Sequence, residues 1–136
     1  MVKEKRVVEE QAMVVKEILD GVVYVGLFGG LDSYRMNELT KDILDGVLAL
    51  QADQVILDFE GIPMVDTAIA DRIIKLVHAV NLLGSKTIVC GFQPEVAQAM
   101  IHVGVHLTEL SICRNLKTSM QEIFKRREVE LTASVK

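Results

Sequence analysis

The chain has 136 residues, of which 50% are hydrophobic and 25% charged, and this predicts one globular domain with its own core. A formal net charge of −4 favours neither nucleic acid nor anionic membranes as a partner. No apolar run reaches membrane-spanning length, the charged start is unlike a signal peptide, and two widely spaced cysteines make no disulfide framework. We therefore expect a cytoplasmic protein that binds neither nucleic acid nor a membrane.

The first part of the chain predicts a β-hairpin followed by a helix. Residues Met13–Leu19 and Val22–Phe28 are β-branched runs, and the Asp-Gly pair between them is typical of a two-residue turn. Asp32 or Ser33 can cap the helix that follows. That helix has an apolar stripe at spacings of three and four residues, made of Met36, Leu39, Ile43, Val47 and Leu50.

The segment from residue 55 to residue 74 organises the rest of the chain. An apolar strand at Gln54–Phe59 ends in acidic residues, and a loop with Gly61 and Pro63 follows it. Asp66 or Thr67 then opens an apolar helix that runs to about residue 83. This pattern predicts a hydroxyl group at the positive end of a helix, beside the carboxyl end of a buried strand.

The last part of the chain predicts two more strand–helix pairs. Lys86–Cys90 reads as a short buried strand, and Pro94 suits the first position of the next helix. His106–Ile112 is a candidate last strand, and an amphipathic helix begins near Leu116.

Short buried strands that alternate with helices require right-handed crossovers and a mostly parallel sheet. We therefore predict an α/β fold, in which an N-terminal hairpin joins a mixed, mostly parallel β-sheet and about four helices pack against it. The predicted domain spans residues 12–126, with flexible termini at 1–11 and 127–136.

Three short motifs carry a resemblance to a known family. They are D-F-E-G-I-P-M-V-D-T at Asp58–Thr67, L-L-G-S-K at Leu82–Lys86 and G-F-Q-P-E-V-A-Q at Gly91–Gln98. In this order and spacing they resemble a STAS domain, the module shared by sulfate transporters and anti-sigma-factor antagonists. Within that family the chain is most similar to the stressosome antagonist and scaffold branch. The resemblance implies a STAS-like fold and a role in stress signalling by partner switching.

The resemblance also implies a phosphorylation site. In the family, a Ser or Thr after an Asp at this helix start is phosphorylated by a serine/threonine switch kinase, and here that residue is Thr67. Scaffold members often carry a second phosphorylatable Thr in the helix after the G-x-x-P segment, where this chain has Ala99. We expect partner contacts at the residues around these two positions: Asp66, Ala68, Ala70, Asp71, Met64, Gln98 and Ala99.

The leading hypothesis is a non-enzymatic phosphoprotein that acts as an anti-sigma factor antagonist or stressosome component, without a cofactor or metal. Its expected partners are the switch kinase and other STAS proteins, in a homodimer or a larger assembly. One alternative is a STAS module that binds a small ligand such as a nucleotide or lipid. Another is a purely structural subunit of an assembly, in which Thr67 serves only as part of a helix cap.

Other candidate residues favour structural roles. His102 and His106 have the spacing of metal ligands, but Gly104 between them is expected to end the helix and no H-E-x-x-H motif is present. Cys90 reads as a small core residue, and no base near Cys113 argues for a nucleophile. Asp58 is expected to satisfy the loop after its strand. Because no nucleophile–base pair or carboxylate pair stands out, an enzyme is the least favoured function.

Overall fold

The computed structural model describes residues 13–103 and 110–135, with side chains described as far as residue 129. In this part of the chain the strands are β1 (Met13–Leu19), β2 (Val22–Phe28), β3 (Gln54–Gly61), β4 (Lys86–Cys90) and β5 (Ile112–Cys113). The helices of the same part are α1 (Ser33–Ala49), α2 (Thr67–Leu82), α3 (Pro94–Val103) and α4 (Leu116–Val135).

The strands form one mixed sheet in the order β1-β2-β3-β4-β5. β1 pairs with β2 in antiparallel orientation, and the three following pairs are parallel. The hairpin turns at residues 20–21, where Gly21 takes the positive φ of +77° that this tight turn requires. The predicted α/β fold, with its N-terminal hairpin and mostly parallel sheet, is confirmed.

The two faces of the sheet carry separate hydrophobic clusters, because successive side chains along a strand point to opposite faces. One face packs against α1, α2 and α3 and includes Val55 and Leu57 of β3. The other face packs against α4, with Ile56 of β3 and Ile123 of α4 in its centre. The middle strand β3 is therefore buried on both faces, as its sequence predicted.

The helices α1 and α2 largely follow their predicted patterns. Four residues of the α1 stripe are buried, but Leu50 is 37% exposed because it lies at the C-terminal cap, where the helix ends. Helix α2 ends in the cap residue Leu83, and Gly84 takes a positive φ of +98° after it. In the described residues no helix is long and apolar enough to cross a membrane.

The C-terminal part differs from its prediction in two places. The strand predicted at residues 106–112 is a two-residue strand, Ile112–Cys113, and residues 106–109 of the prediction lie outside the described residues. Helix α4 continues through most of the predicted flexible tail to Val135. Arg126 donates to Gln54 Oε1 at 2.9 Å, and Arg127 donates to the Asp20 carbonyl at 2.6 Å. The Arg127 contact holds the helix against the domain one residue beyond the predicted end.

We expect α4 to stabilise the domain because it covers one face of the sheet. Ile123 is fully buried, whereas its neighbour Phe124 is 55% exposed. Replacing Ile123 by Ala should lower the free energy of unfolding by about 2–5 kcal/mol, because it leaves a cavity between α4 and the sheet. Phe124→Ala, the matched control, should lower it by less than about 1 kcal/mol. Urea denaturation of both variants measures the difference, and equal losses would contradict this packing.

Candidate functional site

The loop between β3 and α2 lies at the edge of the sheet where the parallel strands end. Ile62 is fully buried, and its N–H donates to the Phe59 carbonyl at 3.0 Å. Val65 packs against the core, whereas Met64 between them is 64% exposed. The loop is thus anchored on both sides and presents its tip to solvent.

The start of α2 holds the predicted hydroxyl. Asp66 is the N-cap residue, and its Oδ1 accepts a hydrogen bond from the Ile69 N–H at 2.8 Å. Thr67 is the first residue of the helix and is exposed. Among the described residues, no hydrogen-bond partner faces the N–H groups of Thr67 and Ala68. The Thr67 hydroxyl therefore sits beside free donors at the positive end of the helix.

Close backbone contact joins the ends of β3 and β4 beneath this loop. Gly91 has a φ of +77°, and a Cβ atom there would lie 2.6 Å from Asp58 Oδ1 and 2.8 Å from the Glu60 nitrogen. Only glycine allows this approach. The Gln93 side chain then donates to the Glu60 carbonyl at 2.8 Å. The loop after β4 is thereby fixed against the end of β3.

A shallow hollow of about 530 Å³ lies between these two loops. It combines the exposed loop tip with the start of α3, and its lining residues are Glu60, Gly61, Pro63, Met64, Gln93 and Glu95. Two of the lining side chains are carboxylates, so the hollow disfavours an anionic ligand such as a nucleotide phosphate.

A hydrogen bond between the half-buried Tyr24 and the buried Asp58 secures the same edge from the α4 side of the sheet. Asp58 is 8% exposed; its Oδ2 accepts from the Tyr24 hydroxyl at 2.7 Å and its Oδ1 accepts from the Glu60 N–H at 2.9 Å. The Tyr24 ring lies over Gly26, where a Cβ atom would approach it to 3.0 Å. The sequence predicted that Asp58 would satisfy the loop after its strand, but its two partners lie within β2 and the end of β3.

Burial and the Asp58 carboxylate both act on Tyr24. Burial is the larger effect and the hydrogen bond to Asp58 the second, and both raise the pKa of Tyr24 above its ordinary value of 10.0. The neutral phenol is therefore the form that the folded protein stabilises.

The predicted site residues differ in their exposure to solvent. Asp66, Thr67, Ala68, Met64 and Gln98 are exposed. Asp71 is half-buried and forms an ion pair with Lys75 at 2.8 Å. Ala70 is fully buried and Ala99 is only 7% exposed, because both side chains belong to the core between the helices and the sheet. Ala70 and Ala99 therefore offer almost no side-chain surface to a partner, and we remove both from the proposed contacts.

Sequence reasoning missed three residues at this edge: Gln93, Glu95 and Tyr24. Gln93 and Glu95 contact the hollow from the start of α3, whereas Gln98 and Ala99 lie further along that helix. The G-F-Q-P-E motif contained the signal, since residues just before and after a helix-opening proline lie at the edge of the sheet. The contact of Tyr24 with Asp58 joins residues 34 positions apart and had no local signal.

The described residues include no group of three or more His, Cys, Asp or Glu side chains placed to hold a metal ion. His106, one member of the predicted histidine pair, lies outside the described residues. Cys90 is buried, as predicted, and Cys113 is half-buried; both are free thiols.

The strand order, the helix order and the anchored loop before α2 define an α/β domain of the STAS class. The STAS domain family model matches residues 13–122. The chain therefore belongs to the STAS domain family, as the three sequence motifs predicted.

The chain is similar to a protein named as a co-antagonist. The RsbT co-antagonist protein RsbRD of Bacillus subtilis (strain 168) is 30% identical over 117 residues, which cover 86% of this chain and 42% of that protein. The chain thus spans less than half the length of this relative.

Two solved structures share the fold. An RsbS variant from Moorella thermoacetica superposes with a TM-score of 0.74 at 17% identity, covering 85% of this chain and 97% of that one. The anti-sigma factor antagonist SpoIIAA in its unphosphorylated form gives a TM-score of 0.67 at 15% identity, covering 84% of this chain and 97% of that one.

We predict that Tyr24 resists ionisation in the folded protein. The chain has two tyrosines, so a Tyr34→Phe variant leaves Tyr24 as its one chromophore for a tyrosinate titration. Its ultraviolet absorbance should change at a higher pH in the folded variant than in the same variant in denaturant.

The raised pKa of Tyr24 determines how its contribution to the free energy of unfolding changes with pH. The contribution of Tyr24 to the free energy of unfolding is fully present below pH 10.0, its ordinary pKa, and is lost as the pH rises through the folded-state pKa. Coincident titration curves for the folded and denatured variant would disprove the interaction of Tyr24 with Asp58.

Proposed function

We propose that this chain is a phosphorylation-controlled STAS protein, an anti-sigma factor antagonist or stressosome component, and that Thr67 is its regulatory site. One observation carries the proposal. The Thr67 hydroxyl is exposed on an anchored edge, directly after the Asp66 cap and beside two N–H groups without a partner in the described chain. A kinase can reach this hydroxyl without unfolding its surroundings.

A phosphate on Thr67 suits the fold but changes the surface. Unsatisfied N–H groups and the helix dipole both stabilise an anion at the first turn of a helix. The modification adds about −1.5 to −2 charges directly after the Asp66 carboxylate, at the end of a segment that also carries Glu60. A partner fitted to the neutral hydroxyl would then meet added bulk, and an acidic partner surface would be repelled. Phosphorylation should therefore change binding much more than stability.

The similar proteins suggest the partners. RsbRD is named a co-antagonist of RsbT, and SpoIIAA an anti-sigma factor antagonist. We accordingly propose a serine/threonine switch kinase of the RsbT type as the modifying partner and other STAS proteins as assembly partners. We also propose a cytoplasmic location for the protein and its ATP-dependent kinase partner.

A non-enzymatic role fits the site better than catalysis or ligand binding. Thr67 has no described base within hydrogen-bonding reach that would make it a nucleophile. The hollow lined by the loop before α2 is shallow and carries Glu60 and Glu95, which disfavour phosphate-bearing ligands. These carboxylates therefore argue against the nucleotide form of the ligand-sensing alternative.

The kinase assay tests the modified residue. The full chain is incubated with RsbT and magnesium ATP, and the product is mapped by mass spectrometry. We expect one phosphate on Thr67 and none on the Thr67→Ala variant. Ser33 is the matched control site, because it also opens a helix after an Asp cap, with Asp32 Oδ1 accepting from Arg35 N at 2.8 Å.

The Ser33→Ala variant should be phosphorylated at the unchanged rate. Equal modification of Ser33 and Thr67 would mean that the kinase reads a local helix start and not the edge described above. Modification at neither residue, with a control substrate phosphorylated in the same reaction, would refute the proposed kinase.

A phosphomimetic variant separates binding from stability. Thr67→Asp should weaken binding to the kinase at least tenfold, about 1.4 kcal/mol, because charge is added where the hydroxyl docks. Its free energy of unfolding should stay within about 0.5 kcal/mol of the parent protein, because an acid is favourable in the first turn. Thr67→Ser should keep the parent affinity. Calorimetry and urea denaturation measure both, and an unfolded Thr67→Asp protein would contradict the account.

Assembly is tested on the purified chain. Several large apolar side chains are exposed, among them Leu82 at 87% and Ile101 at 69%. Light scattering should show a species larger than the 15.1 kDa monomer. A monomer at all concentrations would remove self-association from the proposal and leave the kinase assay unaffected.

A further inference from the structure

The two cysteines of the chain are direct neighbours across two parallel strands. Cys90 ends β4 and Cys113 ends β5, and their Cα atoms are register partners. Neighbouring strands lie about 4.8 Å apart, which is inside the range of about 4.4–6.8 Å that disulfides span between Cα atoms. The widely spaced sequence positions gave no hint of this proximity.

Both side chains also point to the same face of the sheet. Cys90 belongs to the hydrophobic cluster under α4, and Cys113 packs against that cluster. The preceding residue pair, Val89 and Ile112, is also in register and must point to the opposite face. The two thiols therefore face one another under the same helix.

We propose that Cys90 and Cys113 are a redox pair, which a hydroperoxide converts to a reversible intrachain disulfide. The inference is independent of phosphorylation at Thr67. It assigns a modification site to the α4 side of the sheet, at the same edge that carries the loop before α2.

The two thiols differ in access, and this sets the order of events. Cys113 is half-buried and open to a small oxidant, whereas Cys90 is fully buried. Burial is the main cause that raises the pKa of Cys90 to about 11, so its thiolate is scarce at neutral pH. Cys113 is therefore oxidised first, and Cys90 is the resolving thiol.

The reaction balances in two steps. The Cys113 thiolate attacks the hydroperoxide, the O–O bond breaks, and the alkoxide or hydroxide released takes a proton, leaving a sulfenic acid on Cys113. The Cys90 thiolate then attacks Cys113 Sγ, the S–S bond forms and the S–O bond breaks, and hydroxide leaves and takes the proton lost by Cys90. The two thiols lose two electrons and the hydroperoxide gains them.

Parallel strands make the disulfide easy to reverse. Side chains in register across such strands start about one strand spacing apart, near 4.8 Å, and a disulfide prefers Cβ atoms about 3.8 Å apart. The strands must draw together, and the resulting strain favours reduction. Gly91 follows β4 and packs against Asp58 and Glu60. The approach of β4 and β5 therefore also moves the edge that carries the loop between β3 and α2.

The test uses the full-length chain in its reduced form. It is exposed to hydrogen peroxide at neutral pH, blocked with N-ethylmaleimide in denaturant, and weighed intact. We expect a loss of two hydrogens, no maleimide adduct, and full reversal by dithiothreitol. Because trypsin leaves both cysteines in one peptide, digestion also uses Glu-C, which should yield residues 87–95 linked to residues 110–114.

The pH dependence checks the assigned order. Disulfide formation from the captured Cys113 sulfenic acid should accelerate about tenfold per pH unit near neutrality, because the Cys90 thiolate fraction rises by that factor below its pKa. Dimedone added at low pH should label Cys113 and not Cys90. Labelling of Cys90 instead would overturn the assignment of roles.

Two variants keep the test specific to the register. Cys113→Ser should form no intrachain link, and Cys90 should then be fully modified by maleimide in denaturant. The double variant Ile112→Cys, Cys113→Ser moves the thiol one residue along β5 to the other face, and it should also form no link to Cys90. Linkage in the double variant at the parent rate, a Cys113–Cys113 dimer, or Cys113 sulfinic acid with Cys90 unreacted would each overturn the proposal.

Discussion

The burial of β3 on both faces is the constraint on which the rest of this structure depends. Residues 54–59 are all buried, so helices must cover both sides of the sheet and the chain must leave the strand at an exposed edge. The strand also ends in acids, and a buried carboxylate is costly unless it is hydrogen-bonded. Asp58 meets that requirement with the Tyr24 hydroxyl and the Glu60 N–H. The site loop therefore begins from a fixed point.

Two chemically different features share this edge because the sheet has two faces. On one side the loop leads to Thr67 at the start of α2, which packs with α1 and α3. On the other side, the register row runs from Gly26 through Asp58 and Cys90 to Cys113. Gly91 connects them, since it follows Cys90 and contacts the backbone of Glu60. A structural change at Cys90 and Cys113 can therefore reach the loop before α2 through Gly91.

The two helix starts show that a cap alone does not distinguish Thr67 from Ser33. Asp32 with Ser33 repeats the arrangement of Asp66 with Thr67, including the side-chain bond to the third N–H of the helix. Local sequence thus produces the same hydroxyl geometry twice. What distinguishes Thr67 is the loop before it, which is anchored, exposes Met64 and lines a hollow that carries two carboxylates. For this reason we propose that the kinase recognises the edge of the sheet around Thr67, and not the helix cap alone.

The sequence by itself determined the features that arise from neighbouring residues. The bounds of β1, β2 and β4, the turn at residues 20–21 and the cap at the start of α2 follow from hydrophobic alternation, turn propensity and capping, which act within a few positions. Only the tertiary structure decided which small side chains are buried, as with Ala70 and Ala99, because burial depends on the elements packed above them. It also decided the length of α4 and brought Tyr24 to Asp58 and Cys90 to Cys113. These contacts join distant positions through the strand register, and no local pattern records that register.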